Sequence, residues 1–320
     1  MRRNTRNFLF LMMLMVVPGM LRAQQDPFYD QYQFNQLAFN PAYAGSKNAL
    51  ETSFFIHRQA VNILGAPSSE SFTVHSPMAN DKVGLGLKVY HDRIGVTNNT
   101  FFGLDYAYRA HINNNLVAAF GIEASLLNYS VDYAQLDGFN SGDPTFTNAK
   151  DSYIKPNFSA GFYLQSDVFY LGLSSVGLLS SGSDDNKIVD SLYDETFDQS
   201  NHIYINGGAL LRASDNFAVK PNFLFKRTTN APAQADLNVD FILYNTLLVG
   251  AGYRTNKSFS ITAEYLFETD NLLTHHEFGL GYSYNTMMGD DAVFLSPSHE
   301  IYLLYRFHKH NTNIKNPRFF

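Results

Sequence analysis

From Ala49 onward, apolar residues occupy alternate positions along segments of about nine to twelve residues, with polar, small or charged residues between them. A period of two belongs to strands, not to helices. In Ser258 to Glu268, Phe259, Ile261, Ala263, Tyr265 and Phe267 face one way, and Ser260, Thr262, Glu264, Leu266 and Glu268 the other. Val83 to Asp92 and Glu277 to Tyr284 repeat the pattern. Fourteen such runs are predicted: 49–58, 69–77, 83–92, 100–111, 116–129, 155–165, 168–176, 202–213, 217–228, 235–245, 247–255, 258–268, 275–285 and 299–307. An even number permits closure with both ends on one side. One face carries Lys88, Asp105, Arg109, Glu123, Lys220, Asp240, Arg254, Glu264 and Arg306. Those charges do not suit the core of a soluble sandwich or propeller, but they do suit the polar interior of a wide transmembrane antiparallel β-barrel whose apolar face meets lipid.

The links between runs point the same way. Barrels of this kind alternate short inner turns with longer outer loops. The inner links are predicted at Pro77 to Asp81, Asn113 to Asn115, Ser166-Asp167, Ser214 to Asn216, Asn245-Thr246 and Asp270-Asn271, most of them tight and polar. The outer links include the long stretches Ser130 to Ile154, Gly177 to Asn201 and Thr286 to Ser298. The last run ends with Ile301, Leu303, Tyr305 and Phe307 on one face, the form of a barrel-assembly signal, and residues 308–320 then form a polar, basic tail expected in the periplasm.

Two segments precede the barrel. Residues 1–23 carry Arg2, Arg3 and Arg6, an apolar stretch from Phe8 to Val17, a Pro18-Gly19 break and then Ala23, and read as a secretory signal peptide. The apolar stretch is too short for a membrane anchor. Residues 24–48 lack strand alternation but combine aromatic residues with two prolines and the turn-forming block Asn40-Pro41-Ala42-Tyr43-Ala44-Gly45. They are expected either to plug the barrel lumen or to lie against its periplasmic mouth.

Composition accounts for this pattern. The 320 residues are 45% hydrophobic, 15% aromatic and 16% charged, with 28 Phe, 20 Tyr, no Trp and no Cys. Mean hydropathy is nonetheless only -0.19. Strands with one apolar and one polar face average to such a value, whereas a helical membrane bundle would not. The absence of Cys excludes a disulfide scaffold and any Cys-ligated metal centre. The formal charge of -6 becomes -10 if cleavage after Ala23 removes four Arg and no acid, and an acidic chain is a poor nucleic-acid partner. With no Trp, interfacial girdles must come from Tyr and Phe, which makes Tyr106, Tyr108, Tyr253, Tyr265, Tyr282, Tyr284 and Tyr305 lipid-interface candidates.

Candidate chemistry is sparse. His275-His276-Glu277 and His299-Glu300 combine imidazole and carboxylate, but neighbours on a strand point to opposite faces, so His275 and His276 cannot easily share an ion. His308-x-His310 has alternate spacing but lies in the tail. Gly84-x-Gly86 with Lys88 imitates a phosphate loop inside a strand, where glycine instead admits a bend or the close approach of another segment. Asp184-Asp185-Asn186 lacks the spacing and terminal Glu of a calcium loop. No G-x-S-x-G block or readable Ser/His constellation supports a lipid-modifying enzyme. No catalytic, cofactor-binding or metal residues are assigned, no cofactor is expected, and partner-binding residues are left open.

Several blocks, in order, resemble the PorP/SprF family of type IX secretion system outer-membrane proteins. They are Gln31-Tyr32, Asn40-Pro41-Ala42-Tyr43-Ala44-Gly45, His57-Arg58-Gln59, Gly65-Ala66-Pro67, Val83 to Leu87, Asp92-Arg93-Ile94-Gly95 and Lys155-Pro156. Downstream follow Lys220 to Lys226, Asp236-Leu237-Asn238, Gly250-Ala251-Gly252-Tyr253-Arg254 and His299-Glu300-Ile301. Ala60 stands where relatives often place an aromatic residue. The resemblance implies a fourteen-stranded barrel serving type IX secretion and, in some members, gliding motility. It also implies a secreted partner with a type B C-terminal sorting domain, retained at the surface, alongside other secretion components and outer-membrane lipid. The expected function is therefore non-enzymatic, with a porin-like or lipid-substrate transport channel as the alternative.

Overall fold

The computed structural model describes residues 31–79, 81–136, 150–179, 200–228, 231–270, 274–288 and 297–309. Within them the chain is nearly all strand. Numbered in order, the strands are β1 (Leu50–Arg58), β2 (Ser68–Met78), β3 (Val83–Ile94), β4 (Thr97–Asn113), β5 (Leu116–Asp132), β6 (Lys150–Ser166) and β7 (Phe169–Val176). After them come β8, interrupted at Leu210 into His202–Ala209 and Leu211–Ser214, β9 (Phe217–Thr228), β10 (Ala231–Leu243), β11 (Leu247–Arg254), β12 (Ser258–Asp270), β13 (Thr274–Met287) and β14 (Ser298–Lys309). Each predicted run corresponds to one of these strands. Every strand pairs antiparallel with its sequence neighbours. The ring closes where β1 meets β14, in register from Leu50 opposite Phe307 to Arg58 opposite His299. The result is a closed fourteen-stranded barrel with no edge strand among the described residues.

The two faces separate as the alternation requires. Eight of the nine predicted lumen charges are buried, and Arg254 is half-buried. Outward positions carry exposed Leu104, Phe120, Ile122, Ile261, Leu280 and Leu303. Tyr106, Tyr108, Tyr253, Tyr265 and Tyr282 are exposed on this outer surface, while Tyr284 and Tyr305 are half-exposed there.

The six inner links hold two to four residues each and lie at the end of the barrel that also carries Leu50 and Lys309, here called the terminal mouth. Their chemistry is that of tight hairpins. Tyr244 and Asn245 both adopt left-handed backbone (φ 53°), as do Ala79 and Asp81 (φ 50° and 62°). Two successive left-handed residues give a turn whose twist matches that of the flanking strands. At the opposite, far mouth the outer links are not uniformly long. Those after β5, β7 and β13 are long, but Gly95-Val96 alone joins β3 to β4, and residues 229–230 alone join β9 to β10. Link length therefore distinguishes the two ends less sharply than expected. Most of the three long links, the Asp184-Asp185-Asn186 triplet, residues 1–30 and the tail from residue 310 lie outside the described residues.

Candidate functional site

The segment before β1 runs inside the ring of strands as three short 3-10 turns, Tyr32–Phe34, Gln36–Ala38 and Pro41–Tyr43. It connects to β1 at the terminal mouth, where Arg109 Nη2 donates to Asn48 Oδ1 at 2.9 Å. It reaches toward the far mouth at Gln31, whose backbone amide donates to Glu300 Oε1 at 2.9 Å. Glu300 stands opposite His57, one residue from the far end of β1. Of the two placements expected for residues 24–48, the described part, from Gln31 onward, adopts the plug.

Asn40-Pro41-Ala42-Tyr43-Ala44-Gly45 explains why the plug sits where it does. The Asn40 side chain caps its own turn by accepting from Ala42 N at 3.0 Å, and Pro41 occupies the first helical position, where its missing N–H costs nothing. Asn40 Nδ2 then donates to Phe162 O on β6 at 3.1 Å. Ala42 rests on Gly121 of β5 so closely that a Cβ built on that glycine would lie 2.2 Å from Ala42 N. A Cβ on Gly84 of β3 would lie 1.9 Å from Ala44 O. Tyr43 packs edge-on against Tyr163 and His75, with centroids 5.4 and 5.2 Å apart. Gly45 takes a left-handed backbone (φ 75°) and donates its amide to His75 Nδ1 at 3.2 Å. The glycines inside strand β3, superficially a phosphate loop in sequence, thus make room for a close-approaching segment.

The other plug residues bond to inward side chains around the ring. Ser174 Oγ donates to Phe39 O at 2.6 Å, Asn206 Nδ2 to Gln36 Oε1 at 2.8 Å, and Asn238 Nδ2 to Gln33 Oε1 at 3.1 Å. Gln165 Nε2 donates to Ser46 O at 3.2 Å. Aromatic contacts add to these: Phe34 stacks on Tyr302, which stacks on Phe55, and Phe39 packs on Tyr204. Buried polar groups are stable only when bonded, so strand side chains satisfying plug carbonyls and amides hold the plug in one register.

Two charge clusters brace this arrangement. Lys88 on β3 donates to Leu37 O at 2.9 Å, forms an ion pair with Glu123 of β5, and stands 3.5 Å from Asp105 of β4. Ser159 of β6 donates to Glu123 at 2.8 Å. At the terminal mouth, Arg306 of β14 bonds both Glu51 of β1 and Glu277 of β13, and Glu51 also contacts His75 Nε2 at 3.1 Å. Lys47, ahead of β1, is enclosed beside this cluster, where burial and the guanidinium of Arg306 push its ammonium well below the usual lysine range.

The residues singled out in sequence divide between the two mouths of the barrel. His299 sits near the far mouth, its Nδ1 2.7 Å from the Tyr282 hydroxyl. Glu300 points inward and receives the plug amide. His276 faces outward, with Nδ1 3.0 Å from the Tyr305 hydroxyl, while His275 shares the inward face with Glu277. His308 lies opposite His275, and His310 is outside the described residues. Sequence reasoning did not anticipate the inward aromatics Tyr163, Tyr170, Tyr204 and Tyr302, which give the lumen an apolar component beside its charges. The available signal was a large ring on the polar parity of its strand, as with Tyr302 in phase with Glu300 and Arg306.

No curated protein matches the chain. Among solved structures, the CymD monoaromatic hydrocarbon channel is 10% identical with a TM-score of 0.49, covering 91% of this chain and 95% of that one. The Ralstonia pickettii toluene transporter TbuX is 8% identical with a TM-score of 0.48, covering 87% and 92%. A Pseudomonas aeruginosa FadL homologue is 11% identical with a TM-score of 0.46, covering 90% and 96%. The family model described as type IX secretion system membrane protein PorP/SprF matches residues 21–305. With nearly the whole barrel and its plug inside that match, the chain belongs to the PorP/SprF family of type IX secretion system membrane proteins.

Proposed function

We propose that this protein is a non-enzymatic outer-membrane barrel that binds the C-terminal sorting domain of a secreted partner and supports its export or attachment at the cell surface, with gliding motility as one setting for that role. In this reading residues 1–23 direct export and are removed, the terminal mouth faces the periplasm together with the tail, and the far mouth faces outward. The observation that carries it is the plug. A lumen occupied by a segment bonded to strands around the ring is built to stay filled, which favours a receptor over a conduit. Partner recognition then falls to the far mouth and its long links, where loops and strand ends offer backbone for strand addition. Deleting the gene is expected to leave the cognate secreted protein inside the cell or free in the medium. If that protein still reaches and stays on the surface, the reading fails.

The alternative, a porin-like or lipid-substrate channel, requires displacement of the plug. Planar-bilayer recordings separate the two: the receptor reading expects no steady conductance from purified protein, and sustained open-channel current would favour transport.

A further inference from the structure

His275 and His276 face opposite sides of β13, and for that reason the sequence suggested no metal site. The neighbouring strands supply what adjacency does not. His275 and Glu277, two apart on β13, share the lumen face. Across the ladders, Glu268 of β12 stands opposite Glu277, and His308 of β14 stands opposite His275. One ligand atom each from Glu268, His275 and Glu277 lie within 4.8 Å of one another. The rings of His275 and His308 are 5.3 Å apart between centroids.

We propose that Glu268, His275, Glu277 and His308 form a binding site for a zinc-class divalent metal ion at the terminal mouth. Two imidazoles with carboxylate oxygens are a donor set for zinc, nickel or cobalt, whereas calcium and magnesium select oxygen-only shells. Bonds of about 2.0–2.2 Å place ligands around one ion roughly 3.4 Å apart, so the cluster must contract by up to about 1.4 Å. Glu268 is exposed and can supply that movement by rotation of its side chain. Glu277 is held in place because Arg306 bonds its Oε1. The ion would join β12, β13 and β14 at the end where the last strand leaves the barrel. Neither the family membership nor the proposed receptor role assigns such a site.

The test uses tag-free, full-length barrel in detergent, titrated with zinc chloride by calorimetry and with cobalt chloride by visible absorbance. Saturable binding of one ion per barrel is expected, with the cobalt spectrum of mixed nitrogen and oxygen ligation. His275→Ala and Glu268→Gln should each weaken affinity by at least the 10–100-fold that the loss of even an outer-shell partner causes. His276→Ala, on the opposite face, and His310→Ala, in the tail, should leave it unchanged. Heat-dependent gel migration checks that each variant is folded; if His275→Ala is not, His308→Ala replaces it. The proposal is overturned if wild-type protein shows no saturable binding, if the lumen-face variants bind as tightly as wild type, or if His276→Ala or His310→Ala removes the binding.

Discussion

On β3, β5 and β6 the plug lies against wall glycines: Gly84 meets Ala44 O, Gly121 meets Ala42 N, and Gly161 meets the Asn40 side chain. On β11 and β13 the wall also has inward glycines, but those are filled by neighbouring strands. A Cβ on Gly250 would meet Asp240 Oδ1, one on Gly252 would meet Asn238 Oδ1, and one on Gly281 would meet a ring carbon of Tyr302 at 1.8 Å. The same residue on the same face therefore does two things. On one side it admits the plug; on the other it admits wall side chains that reach across to the plug, as Tyr302 does to Phe34. The plug is thus seated against one flank of the barrel and touched from the other by long side chains.

The largest expected effect falls on the seated flank. Lys88→Met removes the cation shared by Asp105 and Glu123 together with the bond to Leu37 O, and leaves buried carboxylates without their counter-charge. Breaking a buried pair in this way costs about 3–5 kcal/mol, to be read from urea unfolding of the barrel in lipid vesicles. An unchanged midpoint would mean that this flank is not held by charge.

Next come the glycines, which test the asymmetry directly. Gly121→Ala overpacks a backbone contact and should destabilise by about 1–3 kcal/mol, accompanied by conductance as the plug is pushed from its seat. Gly281→Ala should cost a similar amount in the wild-type barrel but little in a Tyr302→Ala background, because there the obstacle is a side chain. No second substitution that merely shortens a plug side chain should rescue Gly121→Ala, since the atoms it meets are backbone. If both glycine variants were rescued alike, the distinction between the two flanks would fall.

Smaller effects sharpen it. Asn40→Ala loses the cap and the bond to Phe162 O and should cost about 1–2 kcal/mol. Asn238→Ala, on the opposite flank, loses one neutral bond to Gln33 and should cost about 0.5–1.5 kcal/mol. Reversal of that order, measured in the same unfolding assay, would place the tighter hold on the wrong side.

Most of the wall was legible in the sequence because a barrel strand meets two different environments, and the period of two records both. Lys88, Asp105 and Glu123 mark the inside as clearly as Ile122 and Leu280 mark the outside. What fills the lumen was legible only as an alternative, because residues 31–48 take short 3-10 turns with no periodicity to read. The role of Gly84 was half legible: a glycine within a strand announces close approach but not by what. Tyr163 and Tyr302 were missed because an aromatic residue suits a membrane girdle and a packed lumen equally, and only strand parity separates them. The cluster of Glu268, His275, Glu277 and His308 was hidden since it depends on the register of three strands. Link length misled at the far mouth, where Gly95-Val96 is as brief as any inner turn.

The amide of Gln31 and the carboxylate of Glu300, 269 residues apart in the chain, touch beside the seam where β1 meets β14. That contact constrains the order of assembly. A segment bonded to both ends of the strand sequence cannot take its final place until the last strand has arrived, nor can it easily enter a ring already closed around other contents. Plug and seam therefore complete one another in a single late step, and contacts of such long sequence separation make that step slow. Until then Glu51 lacks Arg306, Glu300 lacks the Gln31 amide and the plug's own carbonyls lack their donors, so a half-built barrel is recognisable by its unsatisfied interior as well as by its open edge.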